Sequence, residues 1–104
     1  MIYIFWTCRS STEAKKIIHH LLNLRLIACA SIFPEIESIY RWEGKIEESK
    51  EVKVILKTTQ EHFDAIRDYI QNNCSYEVPE ILQVAVDQGH PRYLAWVSEE
   101  TTVL

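Results

Sequence analysis

LIACASIFPEIESIYRWEGKIEESKEVKVILK, residues 26–57, is the stretch on which the fold turns. Its first eight residues, LIACASIF, are apolar at nearly every position, the pattern of a strand covered on both faces. Past Pro34, which marks an edge position or a bend, the pattern continues as alternation through Ile36, Tyr40 and Trp42. Glu43 and Gly44 make a tight reversal in which Gly44 is free to take positive φ. A partner strand then runs from about Ile46 to Lys57 through Val52, Val54, Ile55 and Leu56. Arms of roughly 12–16 residues at about 3.3 Å each reach about 40–50 Å, which makes this an unusually long hairpin.

Outward from the hairpin, residues 2–7, IYIFWT, read as a short strand buried on both faces. Ser10 opens a helix: Glu13 stands at capping-box spacing, and Ala14, Ile17, Ile18, Leu21 and Leu22 recur along one stripe through about Arg25. Thr58 and Glu61 repeat that spacing before a second helix striped by Phe63, Ile66 and Ile70, ending near Asn72. Pro79 forbids its continuation. A fourth strand, ILQVAV, starts at Ile81, and His90 caps a short helix with Pro91 at its first position, carrying Tyr93, Leu94, Trp96 and Val97. The order predicts an α+β fold over residues 1–104 as one domain, a ferredoxin-like β-α-β-β-α-β sandwich with both helices on one sheet face.

Two helices shield one face only, yet the strands at 2–7, 26–33 and 81–86 carry large apolar groups on both faces. The hairpin also outreaches the first strand, whose six residues span about 20 Å. A projecting edge bearing Ile36, Ile39, Tyr40 and Trp42 is an aggregation template unless it pairs with another copy. A closed homo-oligomer is the expected form.

A chain of 104 residues has the usual size of one domain, and 47% apolar with 25% charged residues belongs to folded proteins rather than disordered ones. A formal net charge of -4, with its carboxylates scattered, repels phosphate backbones and anionic lipid, so neither nucleic acid nor membrane is an expected partner. Three cysteines without a CxxC spacing indicate neither a disulfide framework nor a zinc knuckle, and fit a reducing compartment. Ile2 enters an apolar run without a basic lead, and no stretch approaches 18 apolar residues. A cytoplasmic protein without signal peptide or membrane span is therefore expected.

The candidate chemistry is sparse. His19 and His20 are about 100° apart on a helix and do not chelate one ion as an i, i+4 pair would. His62 falls in the first turn of the second helix, as a surface or capping residue. Cys29 reads as a small core residue. Cys74 follows a helix in the polar loop NNCSY, where a thiolate is accessible to soft cations such as Cu(I), and Cys8 sits similarly after the first strand. Glu43, Glu51 and Glu80 with Lys57, Tyr76 and Tyr93 supply acid–base or anion-binding groups at no fixed catalytic spacing. A Gly-rich phosphate loop, GxSxG and HExxH are all missing, so neither an enzyme nor an organic cofactor is expected.

The run ACASIFPEIESIYRWEGKIEESKEVKVILKTT, followed by YEVPEIL and YLAW, resembles the CutA family of divalent-cation-tolerance proteins across nearly the whole chain. The resemblance rests on Ala28-Cys29-Ala30, Trp42-Glu43-Gly44-Lys45, Glu51-Val52, Leu56-Lys57-Thr58, Tyr76, Pro79-Glu80, and Tyr93 with Trp96. It implies a homotrimer similar in architecture to the PII-type signalling proteins, with hairpin arms wrapping neighbours. It also implies tolerance of copper and other divalent cations without enzymatic activity. Trp42, Glu51, Lys57, Tyr76, Glu80 and Tyr93 match the family's recurrent polar and aromatic positions, placed by the resemblance near clefts between subunits. Some members carry copper ligands as a Cys at the end of the first strand and a His pair before an aromatic-x-x-Pro-Glu motif. Here those positions are Trp6 and Asn73-Cys74, which leaves Cys74 as the metal-competent side chain and Cys8 as a substitute donor. The alternative function is a PII-like sensor or adaptor holding a small anionic metabolite between Lys57 and the aromatic groups.

Overall fold

The computed structural model describes residues 1–102. Its elements are β1 (Ile2–Cys8), α1 (Ser11–Asn23), β2 (Cys29–Trp42), β3 (Lys45–Thr58), a one-turn 3₁₀ segment (Gln60–His62), α2 (Phe63–Asn73), β4 (Ile81–Ala85) and α3 (Pro91–Glu100). The sheet is antiparallel in the order β2-β3-β1-β4, the ferredoxin-like arrangement expected of this element order.

The register sorts the side chains onto two faces. Ile2, Ile4, Trp6 and Cys8 of β1 pair with Thr58, Leu56, Val54 and Val52 of β3, and all eight are buried on the helix-covered face. Against them pack Ala14, Ile17, Ile18 and Leu21 of α1 and Ile66 and Ile70 of α2. The two helices present their apolar stripes as the 3.6-residue period requires. Trp6 is the largest fully buried side chain, and its indole Nε1 has no hydrogen-bond partner among the described residues. The position that the resemblance matched to a copper ligand is thus core-facing here.

The opposite face carries Tyr3, Phe5 and Thr7 of β1, Glu51, Lys53, Ile55 and Lys57 of β3, and Leu82 and Val84 of β4. Leu82, Val84 and Phe33 are exposed on it. Only the first half of the hairpin joins the sheet: β1 pairs with β3 from Val52 to Thr58, whereas residues 36–51 pair only within the hairpin. The overhang sets the long axis of the molecule, which measures 45 × 26 × 22 Å. A bulge between Phe33 and Ile36, with Glu35 at φ 54, takes up Pro34 where the arm leaves the sheet. At the tip Glu43 and Gly44 both have positive φ, 50 and 78, the geometry of a tight hairpin turn. A glycine meets that requirement at no steric cost, while Glu43 bears it with a Cβ.

Several expectations change. β2 begins at Cys29 rather than Leu26, because residues 26–28 form the crossing from α1 and bury Ile27 and Ala28 outside the strand. β4 ends at Ala85 and is largely exposed, since nothing in one chain covers its outer face. Ser10 does cap α1, accepting from Glu13 N at 3.2 Å, yet Glu13 does not return the bond: its carboxylate accepts from Ser75 N and from Ser75 Oγ at 3.0 Å. Thr58 caps no helix. It is the last residue of β3, fully buried, and its Oγ1 donates to Leu26 O at 2.5 Å. His90 caps α3 as expected, its Nδ1 accepting from Arg92 N at 3.1 Å, with Pro91 in the first turn. The other end of α3 is held from outside: Arg25 donates to Glu99 O and Thr102 O, both at 2.9 Å, and His62 Nε2 meets Thr101 O at 2.8 Å. His62 is therefore a tethering residue in the 3₁₀ turn rather than a surface residue of α2.

Candidate functional site

Strand parity gathers the first cluster. Ser38, Tyr40 and Trp42 lie two residues apart along β2, pairing with Ser49, Glu47 and Lys45, so all three point to the face that also carries Thr7 and Glu51. The segment after α2 brings Tyr76, Glu77, Val78 and Glu80 against them. Together Thr7, Ser38, Tyr40, Trp42, Glu51, Tyr76, Glu77, Val78 and Glu80 line a cavity of about 390 Å³.

Its two central carboxylates are held differently. Glu80 accepts from Thr7 Oγ1 at 3.0 Å and pairs with Lys53 Nζ at 2.8 Å. Lys53 also lies 5.4 Å from the centre of the Phe5 ring. Glu51 is only 8% exposed, yet no Lys, Arg or His stands within ion-pairing distance among the described residues. It receives hydroxyls instead: Ser49 Oγ donates to Oε1 at 3.2 Å, and Tyr40 Oη lies 3.3 Å from Ser49 Oγ. Burial, then its interaction with the nearby Glu51 carboxylate, push the Tyr76 phenol well above its ordinary range, so Tyr76 stays protonated.

Lys57 and Tyr93 are not in this cavity. Lys57 lies six residues along β3 from Glu51, about 20 Å away. It is 9% exposed and donates to Ser31 Oγ. It stands in a row with Cys29 on β2 and Tyr3 on β1. Tyr93 Oη meets Cys29 Sγ at 3.6 Å, a contact that, with burial, pushes the phenol up to about 12. Trp96 packs beside Tyr93 at a ring separation of 5.7 Å. Cys29 is accordingly a half-exposed residue of the open face, not of the core.

The two candidate metal donors differ in exposure. Cys8 is the last residue of β1 and 1% exposed, not a loop thiol, because its strand runs one residue past the apolar stretch to pair with Val52. Desolvation pushes its thiol up to about 11. Its Sγ contacts Ser10 O at 3.6 Å. Cys74 is half-buried at the end of α2, its Sγ 3.6 Å from Tyr76 O, and burial raises its pKa as well. Asn73 is spent on Tyr69 O at 2.8 Å. Among the described residues no three His, Cys, Asp or Glu side chains converge as a metal site. Thr7, Ser38, Tyr40, Ser49, Glu77 and Val78 escaped the sequence reading as site residues; the two-residue spacing of Ser38, Tyr40 and Trp42 was the available signal.

A profile of the family described as CutA1 divalent ion tolerance protein matches residues 2–100. The chain belongs to the CutA1 divalent ion tolerance family. The divalent-cation tolerance protein CutA of Pyrococcus horikoshii is 42% identical over 101 residues, covering 97% of this chain and 98% of that one. The chloroplastic CutA protein of Arabidopsis thaliana is 32% identical over 100 residues, covering 96% of this chain and 55% of that one. A solved structure of the periplasmic divalent cation tolerance protein CutA from Archaeoglobus fulgidus superposes with a TM-score of 0.94 at 37% identity, covering 98% of this chain and 100% of that one. The chain spans 54–62% of the length of the vertebrate CutA relatives it matches. The family name describes tolerance of an ion rather than a reaction. The expectation of a cytoplasmic location does not survive these relatives: one CutA is described as periplasmic and another as chloroplastic, so a CutA sequence does not place itself in the cytoplasm. Unpaired thiols were a poor guide because Cys8 is shut in a core, where the redox poise outside matters little.

Proposed function

We propose that this chain serves divalent-cation tolerance as a homotrimer of PII-like architecture, one domain per subunit and without catalysis, that binds copper or another divalent cation between subunits. The observation that carries the reading is the uncovered face: Phe33, Leu82 and Val84 on the sheet and Ile39 and Ile46 on the overhang are exposed, more apolar surface than one small chain keeps wet. Since no three metal-ligating side chains converge within the described residues, a coordinated ion draws donors from more than one subunit. Cys74 is the accessible thiol among the candidates. Cys8 contributes only after losing a proton that its burial retains up to about 11.

Native mass and metal content of the purified assembly, followed by copper and zinc titration, test the reading. A three-chain mass with saturable binding that Cys74→Ser weakens about tenfold is expected from loss of one soft donor. A single-chain mass, or no saturable uptake, overturns it. A second reading, a small-molecule sensor, is favoured by the cavity of about 390 Å³, a size ordinary for small-ligand sites. The anionic metabolite expected between Lys57 and the aromatic groups is a site between subunits; within one chain Lys57 lies at the other end of the sheet from this cavity, whose walls carry Glu51, Glu77 and Glu80.

A further inference from the structure

The cavity beside Glu51 has three properties that a bare metal ion does not need. Its volume of about 390 Å³ far exceeds that of an ion, which requires only a tight shell of donors. Two of its walls are the half-exposed rings of Tyr40 and Trp42, which offer apolar area and a negative π face but no strong metal donor. At its base stands Glu51, more than nine-tenths buried and without a cationic partner among the described residues, while neighbouring Glu80 is already neutralised by Lys53. A buried carboxylate with only hydroxyl donors is costly to desolvate, and a cation supplied from outside removes that cost.

From these observations we propose that the cavity is a binding site for a small organic ammonium ion, its charged head on Glu51 and its carbon chain along Trp42 and Tyr40. The inference rests on the small-molecule reading and does not require the metal. The parts divide the work. Ser49 bridges Tyr40 Oη, at 3.3 Å, and Glu51 Oε1, at 3.2 Å, so the wall and the carboxylate are fixed relative to each other. Tyr76 lines the same cavity, and the charge of Glu51 helps keep its phenol protonated. Trp42 supplies cation–π attraction and apolar contact, which a metal aquo ion would not use. Lys57, about 20 Å away along β3, takes no part.

Three four-carbon probes separate the possibilities: n-butylammonium chloride, 1-butanol and sodium butyrate, titrated calorimetrically into the full chain in an amine-free buffer. Saturable binding of butylammonium alone is expected, weakened at least tenfold, by roughly the strength of a charge-assisted hydrogen bond, in Glu51→Gln and severalfold in Trp42→Ala. Trp42 lies at an exposed position of the overhang, so that variant gives an independent readout should Glu51→Gln fail to fold. Lys57→Ala is expected to leave butylammonium affinity unchanged. Binding of butyrate abolished by Lys57→Ala would overturn the ammonium assignment while leaving a sensor role standing. Binding of none of the probes would overturn both. Equal binding of butanol and butylammonium would also overturn the proposal, since it would show an apolar slot indifferent to charge.

Discussion

Cys8 shows how much a single residue's role depends on where a strand stops. The sequence places it after IYIFWT, as an accessible thiol, but antiparallel pairing with Val52 extends β1 by one residue and turns Cys8 into the core. An unfolded thiol ionises at its ordinary 9.0, whereas desolvation in the fold holds the proton to about 11. The folded state therefore binds the proton more tightly, and the stability this contributes is complete below about pH 9 and lost as pH rises through 11. Chemical denaturation at intervals from pH 8 to 11 should show a fall of roughly 2–3 kcal/mol attributable to this group, absent in Cys8→Ala. In the native protein Cys8 should resist alkylation at pH 8 that reaches Cys74, with unfolding releasing the missing thiol. Identical labelling rates for the two would contradict the buried placement. Glu51 was legible as a site residue because a resemblance singled it out; the cavity it lines was not, since Tyr40 reaches Ser49 from the other arm of the hairpin and Tyr76 comes from a distant segment.

At the scale of elements, Ser10 and Thr58 look alike in the sequence, each followed by a glutamate three residues on, and they do different jobs. Ser10 caps α1, so Ser10→Ala is expected to cost about 1 kcal/mol, measured as a shift of the denaturation midpoint with unchanged slope. Thr58 closes β3 and ties it to the crossing from α1 through Leu26 O. Thr58→Val keeps the shape but orphans that carbonyl, and a loss of about 1–3 kcal/mol is expected, with Thr58→Ser largely recovering it. A cap at Thr58 would give the reverse order, a small loss confined to α2. The element order, the helix stripes and the hairpin were readable because each follows from a period of 3.6 or 2 within one segment. What was not readable depends on partners from elsewhere: the start of β2 after Ala28, the diversion of Glu13 to Ser75, and the tethering of α3 by Arg25 and His62.

For the molecule as a whole, the hairpin was legible from arithmetic alone: fourteen residues in each arm against seven in β1 leave about half the hairpin with no strand of its own chain to pair with. The cavity was less legible, because Lys57 and Glu51 alternate onto one face and only their separation along β3 shows that within one chain they stand at different ends of it. The overhang is exposed on both sides. Tyr40 and Trp42 face the cavity side, while Ile39 and Ile46, each 69% exposed, face the other, where neither helix reaches. A two-stranded ribbon of this kind is marginal alone, which is what the proposed assembly with another copy would relieve. Replacing Ile39 and Ile46 together by Asp leaves the turn, the cavity and the helix-side core untouched, and removes the apolar groups while setting a new charge at position 39 beside Glu37 and opposite Glu48, and one at position 46 opposite Arg41. The variant is expected to fold, with the circular dichroism of the parent, and to sediment at micromolar concentration as single chains, whereas the proposed assembly predicts a three-chain mass for the parent. A variant that keeps the parent's mass would show that the far side of the arm is not part of the contact, and would shift the burden of assembly to Phe33, Leu82 and Val84 on the open sheet.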